Sequence, residues 1–279
     1  MKLATMANVS RELEFREDIE FYPRISYRGI SDEVKKLKSM RFHGAQVDLD
    51  FVPGDEDCRK IRAEFSEGGI EIAALSGYNW SDRNLAEPDE QKREKNVNFL
   101  KSKIEIAKKI GAKAVITWGG FKECPENTSQ LVIESLKEAC VCAEENDVYI
   151  ALELYDECIV GTPDQILEAI DKVGSKFLKV VMDPPNVMKE IDLKRMDAFL
   201  DETVSKLADY IAIAHAKDVL FKNGERSLPG AGEGQMDYSS YIKALRKAKY
   251  DYFLVIEHVS GNTVEAARDY VQKALTSYF

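Results

Sequence analysis

No stretch of the 279-residue chain approaches the roughly 18 consecutive apolar residues of a membrane span. The start of the chain, from Met1 into Ser10-Arg11-Glu12, carries no hydrophobic signal core. A cytoplasmic protein without a membrane partner is expected. Histidine is scarce at three residues, which leaves little material for a histidine-rich metal cluster. The five cysteines (Cys58, Cys124, Cys140, Cys142 and Cys158) are odd in number and scattered, against a disulfide framework. Cys140 and Cys142 stand two apart in a helical pattern and so face different ways, as packing residues do. Basic side chains are outnumbered, 39 against 49 acidic, for a net charge of −10. That disfavours nonspecific binding to nucleic acid or an anionic membrane, because phosphate contacts need clustered Lys and Arg. A local basic pocket for a small phosphorylated substrate stays compatible with it. Linkers, low-complexity tracts and short repeats are all missing, as is a glycine-rich turn after the first apolar run, the usual mark of an open doubly wound sheet.

What the chain does contain is one theme repeated: a short apolar run, a polar or glycine-bearing end, then an amphipathic helix. The runs are Lys2–Met6, Ala45–Leu49, Ile70–Leu75, Ala114–Trp118, Val148–Leu154, Leu178–Asp183, Tyr210–His215 and Tyr252–Glu257. Helical periodicity covers Ser31–Met40, Asn96–Ile110 and Thr263–Ala274, among others. Eight strands alternating with helices predict a parallel sheet with both faces covered, and eight is the number that closes a barrel. A length of 279 residues, near the roughly 250 typical of such barrels, suits an α/β fold consisting of a single (β/α)8 TIM barrel, with residues 1–279 as one domain. The glycine pairs Gly68-Gly69 and Gly119-Gly120 fit chain turns at strand ends.

Strands five to eight end in Glu153, Asp183, His215 and Glu257. In a barrel the C-terminal strand ends surround one mouth, so side chains far apart in sequence can meet there. Alternation allows all four to point inward: Tyr149, Ala151 and Glu153 share a face, as do Val181 with Asp183, Ile213 with His215, and Val255 with Glu257. Three carboxylates and one imidazole make a hard, oxygen-rich set that suits a divalent metal, Mn2+ foremost, with Mg2+, Co2+ or Zn2+ compatible. Such an ion also offsets the mutual repulsion of the carboxylates. Taken singly, each residue has a plainer reading. Asp183 before Pro184-Pro185-Asn186 suits a cap or turn, and a histidine on an apolar strand suits the core.

Other residues are open to two readings. Trp118 ends the fourth strand and either floors a sugar site with its ring face or packs at the rim. Asp48, late in the second strand, either hydrogen-bonds substrate or caps the next helix. Gly230-Ala231-Gly232-Glu233-Gly234 lies too far from a strand for a nucleotide loop and suits a rim loop, from which Glu233 can reach substrate hydroxyls. Lys222 and Arg226 fit either a phosphate site, common near the last two strands of barrels, or a solvated loop. Tyr155 and His258 adjoin the proposed ligands, and His43 belongs to the far end of the barrel.

The segments Ala151-Leu152-Glu153, Val181-Met182-Asp183-Pro184-Pro185-Asn186, His215-Ala216-Lys217-Asp218, Pro229-Gly230-Ala231-Gly232-Glu233-Gly234 with Asp237-Tyr238, and Val255-Ile256-Glu257-His258 together resemble the xylose-isomerase-like TIM-barrel superfamily of sugar isomerases and epimerases. The resemblance implies metal ligation by Glu153, Asp183, His215 and Glu257, with Glu153 and Glu257 as acid and base on opposite faces of the substrate. It implies a small sugar or sugar-like substrate. The implied reaction is isomerisation or epimerisation of a ketose or sugar phosphate, by proton abstraction beside a carbonyl through an enediolate. Asn186 stands where ketose 3-epimerases carry a histidine, and Phe221 where they carry an arginine. His215-x-Lys217-Asp218 is closer to the inosose-dehydratase and sugar-phosphate-isomerase branches, in which Lys217 would bind a substrate oxygen or carry a proton. A lyase acting on an inosose or a 3-keto-glycoside is therefore the alternative activity. An apurinic endonuclease would need a richer metal cluster than three histidines supply, and a metal-free binding barrel is the non-enzymatic alternative. A homo-oligomer is compatible with this composition, although no exposed patch marks an interface.

Overall fold

The protein is described here by a computed structural model covering residues 1–10, 24–76, 84–121 and 128–277. Cys124 lies outside the described residues; Cys58, Cys140, Cys142 and Cys158 are buried free thiols. Among the described residues, the barrel's eight parallel strands follow in chain order, with a short strand Arg24–Ser26 added alongside the end of the first: β1 Lys2–Ser10, β2 Gly44–Leu49, β3 Glu71–Leu75, β4 Ala114–Thr117, β5 Tyr149–Glu153, β6 Leu178–Met182, β7 Ile211–Ala216 and β8 Phe253–Ile256. Each pairs with its neighbour in sequence order. Closure comes from β8 on β1, in the register Lys2 opposite Phe253 through Thr5 opposite Ile256. With the eight helices α1 Ile30–Ser39, α2 Asp55–Gly68, α3 Glu90–Ile110, α4 Ser129–Asn146, α5 Pro163–Val173, α6 Met196–Lys206, α7 Tyr238–Lys247 and α8 Val264–Thr276, this is a (β/α)8 TIM barrel.

Alternation along each strand builds two cores. Ala4, Met6, Ile116, Val181, Ile213 and Val255 belong to the cluster inside the barrel. Their neighbours Leu3, Ala7, Val47, Val115, Val180 and Leu254 pack outward under the helices. Strand ends deviate from the sequence expectation by about one residue, apart from β1, which runs four residues further to Ser10. The apolar run stops at Met6, but the strand continues because the outward face stays apolar at Ala7 and Val9 while the inward face turns polar at Asn8 and Ser10. Helix ends follow local chemistry. Thr162 and Gln165 cap α5 reciprocally with Pro163 in its first turn, and Gly111 and Gly174 end α3 and α5 in the left-handed conformation.

Gly119-Gly120 does more than turn the chain. Residues Gly119–Phe121 form a short antiparallel pair with Cys158–Val160, joining the loops after β4 and β5. A Cβ on Gly119 would lie 2.0 Å from the Val160 carbonyl oxygen, so this approach needs glycine. A second hairpin, Leu220–Lys222 with Glu225–Ser227, follows β7. Among the described residues, no helix is long and apolar enough to cross a membrane.

Candidate metal centre

Glu153 is the last residue of β5, Asp183 and Glu257 follow β6 and β8 directly, and His215 is the penultimate residue of β7. Each offers one ligand atom, and these atoms all lie within 4.8 Å of one another. Ligands sharing one small divalent ion sit about 4–5 Å apart at most, so the four side chains meet the spacing a common ion requires. They are at most 7% exposed. His215 Nδ1 lies 3.1 Å from Asp183 Oδ2, 3.1 Å from Glu257 Oε2 and 3.7 Å from Glu153 Oε1.

Lys217, two residues beyond His215 on the same face, joins the cluster. Its Nζ lies 2.7 Å from Asp183, 3.2 Å from Glu257 and 3.8 Å from Glu153. Burial alone would raise every carboxyl here. The Lys217 ammonium and His215 nevertheless hold Asp183 and Glu257 below the usual carboxylate range, while at Glu153 burial prevails and the carboxyl is pushed up. Burial would lower His215, but the surrounding carboxylates, led by Glu257, draw it well above its ordinary value. The three carboxylates thus already favour the two cationic side chains beside them, and a divalent ion would take the place of the proton on His215.

Two observations bear on whether the donor set fits a metal. Among the described residues, Asp183 Oδ1 is buried without a hydrogen-bond partner, an acceptor that a cation would satisfy. On the other side of the imidazole, His215 Nε2 lies 3.0 Å from Gln46 Oε1. An amide oxygen only accepts, so Nε2 carries a proton, and Nδ1 is the nitrogen that faces the carboxylates and would give up its proton to ligate a cation. The buried Glu-Asp-His-Glu set therefore fits a divalent metal site.

The polar surroundings hold these groups in place. Asn186 Nδ2 donates to Glu153 Oε1 at 3.0 Å, Asp183 Oδ2 at 3.1 Å and the Leu154 carbonyl at 2.9 Å. Expected as a substrate contact, its amide is committed to two carboxylates of the quartet and a carbonyl. Asp183 makes no side-chain cap to the 3-10 turn Pro184–Asn186, so the capping interpretation of that residue fails. From α7, Tyr238 donates to the Lys217 carbonyl at 2.9 Å and Tyr241 to the Met182 carbonyl at 3.0 Å, fixing the ends of β7 and β6.

The pattern of the xylose isomerase-like TIM barrel family matches residues 34–277. The chain belongs to this family. Its curated relatives include an uncharacterized protein of Methanocaldococcus jannaschii, 26% identical over 223 residues that cover 75% of this chain and 83% of the relative. Another is D-psicose 3-epimerase of Enterocloster bolteae, 23% identical over 137 residues, 47% of this chain and 41% of that enzyme. Among solved structures, the IolI protein with a bound zinc atom superposes with a TM-score of 0.73 at 20% identity, over 100% of this chain and 99% of that one. A xylose isomerase-like TIM barrel protein from Mycobacterium smegmatis in complex with magnesium gives 0.71 at 19% identity, over 98% and 96%.

The remaining expected residues are placed less centrally in this family member. Trp118 is half-buried one residue past β4, its ring 6.3 Å from that of Phe121. Asp48 lies partly buried on β2, where burial pushes its carboxyl up to about 6 against the pull of Lys103. Glu233 is exposed on its loop. That loop is organised by Asp218, fully buried, whose carboxylate accepts from the backbone N–H groups of Val219, Gly232 and Met236. Arg226 neither floats in solvent nor stands ready for phosphate. It donates to both oxygens of Asp156 at 3.1 and 2.7 Å and to the carbonyls of Asn186 and Met188. His258 packs against the Leu228 carbonyl, Tyr155 donates to Glu157, and exposed His43 precedes β2 at the opposite end. Gln46, which no motif in the sequence marks, reaches the cluster from the inward face of β2 that it shares with Asp48.

Proposed function

We propose that the chain is a metal-dependent sugar isomerase or epimerase that acts on a ketose or sugar phosphate by removing a proton beside the carbonyl, through an enediolate. The observation that carries this reading is the meeting of Glu153 and Glu257, from strands three places apart, within one buried cluster that also fits a divalent ion. A relative named D-psicose 3-epimerase supports the same class. A bound divalent ion, with Mn2+ as our first choice and Mg2+, Co2+ or Zn2+ as alternatives, would be held by Glu153, Asp183, His215 and Glu257 and would supply Lewis-acid polarisation of the carbonyl and an adjacent hydroxyl.

The chain's own groups do the rest. One of Glu153 and Glu257 removes the proton from the carbon beside the carbonyl, and the other returns one from the opposite face. The Lys217 ammonium stabilises negative charge on a substrate oxygen or carries a proton to it. Asn186 keeps Glu153 and Asp183 oriented, and Trp118, Glu233 and Asp48 are candidate contacts to the sugar.

The test is proton exchange in deuterated water, read by NMR on a panel of ketoses, sugar phosphates, inososes and oxidised glycosides with metal supplied. Deuterium should appear beside the carbonyl with the wild-type protein, and Glu153→Gln and Glu257→Gln should each abolish it. Full exchange in both variants would overturn the acid–base roles. The second reading, a lyase, draws on Lys217, whose buried ammonium can protonate a leaving oxygen. Loss of water or aglycone alongside exchange would select it over the isomerase.

A further inference from the structure

Two buried side-chain oxygens are without a hydrogen-bond partner among the described residues, Asp183 Oδ1 and Asn8 Oδ1. The first belongs to the metal centre. The second has no such explanation, and a buried acceptor left unpaired in a native fold calls for a missing donor. Asn8 is 6% exposed, near the C-terminal end of β1. Ala4 and Met6 on the same strand pack inside the barrel while Leu3, Ala7 and Val9 pack outside it, so Asn8 points inward at the mouth. Its register partner on β2 is Asp48. Asp48 in turn shares the inward face with Gln46, which touches His215 and Glu257. Asn8 and Asp48 thus form a pair one side-chain layer above the metal centre, two strand residues or roughly 7 Å further toward solvent.

We propose that Asn8 and Asp48 form a hydroxyl-binding subsite on the β1–β2 wall of the mouth, which holds the far end of an unphosphorylated polyhydroxy substrate. The inference rests on the sugar-enzyme reading above and narrows it. The layer spacing matches the carbon chain of a pentose or hexose whose carbonyl end reaches the metal centre. The Asn8 oxygen and the Asp48 carboxylate are both acceptors, so their ligand must donate, as two neighbouring hydroxyls do. A phosphate at the same end would offer further acceptors and negative charge to a carboxylate in a partly dry wall, which repels it. Arg226, the arginine on the hairpin after β7, is engaged with both oxygens of Asp156 and so is not free for a phosphate.

The test compares a neutral ketohexose with its 6-phosphate, measuring kcat/KM for exchange and, separately, affinity by calorimetry on the metal-loaded protein. Wild type should favour the neutral sugar by about tenfold or more, the scale of one buried like-charge contact. Asp48→Asn should shrink that preference by a similar factor, because it removes the charge while keeping a polar side chain. Asn8→Leu, close in shape but without the acceptor, should weaken the neutral sugar by about tenfold and the phosphate less. Damage to the fold would lower both substrates together and leave their ratio where it was; an unmoved ratio in both variants therefore counts against the subsite. Preference of the wild type for the phosphate overturns it outright. If no ketone exchanges, the proposed function fails, while calorimetric preference for the neutral sugar still upholds the subsite and calorimetric preference for the phosphate still rejects it.

Discussion

Gln46 and His215 are joined across the barrel interior by a 3.0 Å contact from the glutamine Oε1 to the imidazole Nε2, although 169 residues separate them. The same glutamine turns its amide hydrogens to Ser76 Oγ at 3.3 Å and Glu257 Oε1 at 3.4 Å. One side chain from β2 therefore fixes the tautomer of the histidine and steadies a carboxylate on β8. Partners of this kind typically change metal affinity by about 10–100-fold when removed. Gln46→Leu should weaken Mn2+ binding on that scale, measured by calorimetry. Gln46→Glu should retain more affinity, because it keeps an acceptor for Nε2–H. Equal affinity in wild type and Gln46→Leu would remove Gln46 from the site.

The buried carboxylates make a second expectation about the metal itself. Ligand binding to the folded state stabilises it by RT ln(1 + [L]/Kd), about 2.7 kcal/mol at one hundred times Kd. Exhaustive chelation should lower the melting temperature by several degrees, and added Mn2+ should restore it. Because the ligand groups must be deprotonated to bind, affinity should fall as pH falls. A melting curve indifferent to chelator and metal would show that the cluster holds no ion.

Arg226 and Asp156 tie the hairpin after β7 to the loops after β5 and β6. Burial alone would raise the Asp156 carboxyl, but hydrogen bonds from Arg226 and Lys189 outweigh it and hold it below the ordinary range. A depressed folded value means that the pair's stabilisation is complete above the unfolded value, about 3.9, and is lost as pH falls through the lower folded one. Asp156→Asn should therefore cost roughly 1–3 kcal/mol at neutral pH, since Asp156 and Arg226 are mostly buried. The gap between wild type and variant should close in strong acid. Urea unfolding at neutral pH and again below pH 3 measures both ends; a gap that widens in acid would contradict the assignment.

How far the sequence could be read follows from which interactions are local. The barrel was legible because βα alternation and inward–outward alternation are properties of single segments. The quartet was legible because Glu153, Asp183, His215 and Glu257 each close an apolar run, and the topology supplies their meeting. Gln46 was not, since a glutamine inside a strand gives no signal until its partner across the barrel is known. Arg226 resembled a loop cation because Asp156 lies 70 residues away. Asp218 looked like part of a site motif beside Lys217, whereas its carboxylate folds the glycine-rich loop; a Cβ on Gly234 would sit 2.4 Å from its Oδ1. Contacts between separate βα loops, such as Gly119–Phe121 with Cys158–Val160, depend on the closed barrel and have no periodic trace.

Asn186 offers the sharpest test of how the carboxylates are kept in place. Its Nδ2 lies within 3.1 Å of acceptors on Glu153, Leu154 and Asp183, and the residue is 3% exposed. Asn186→Asp replaces the donor with a fourth carboxylate at nearly the same volume, so shape is conserved while every one of these contacts changes from attractive to repulsive. Removing a buried charge's partner typically costs about 3–5 kcal/mol, and a loss of that order is expected for the metal-free protein in urea unfolding. A divalent ion should recover part of it, since the added charge lies beside the proposed ligands. Asn186→Leu, which removes the donor without adding charge, should lose less stability and gain less from metal. The ranking wild type, Leu, Asp in the metal-free state, with the gap between Leu and Asp narrowing when Mn2+ is added, is what a positioning amide requires. A variant pair that responds identically to Mn2+ would mean that the amide supports the fold alone and not the arrangement of Glu153 and Asp183.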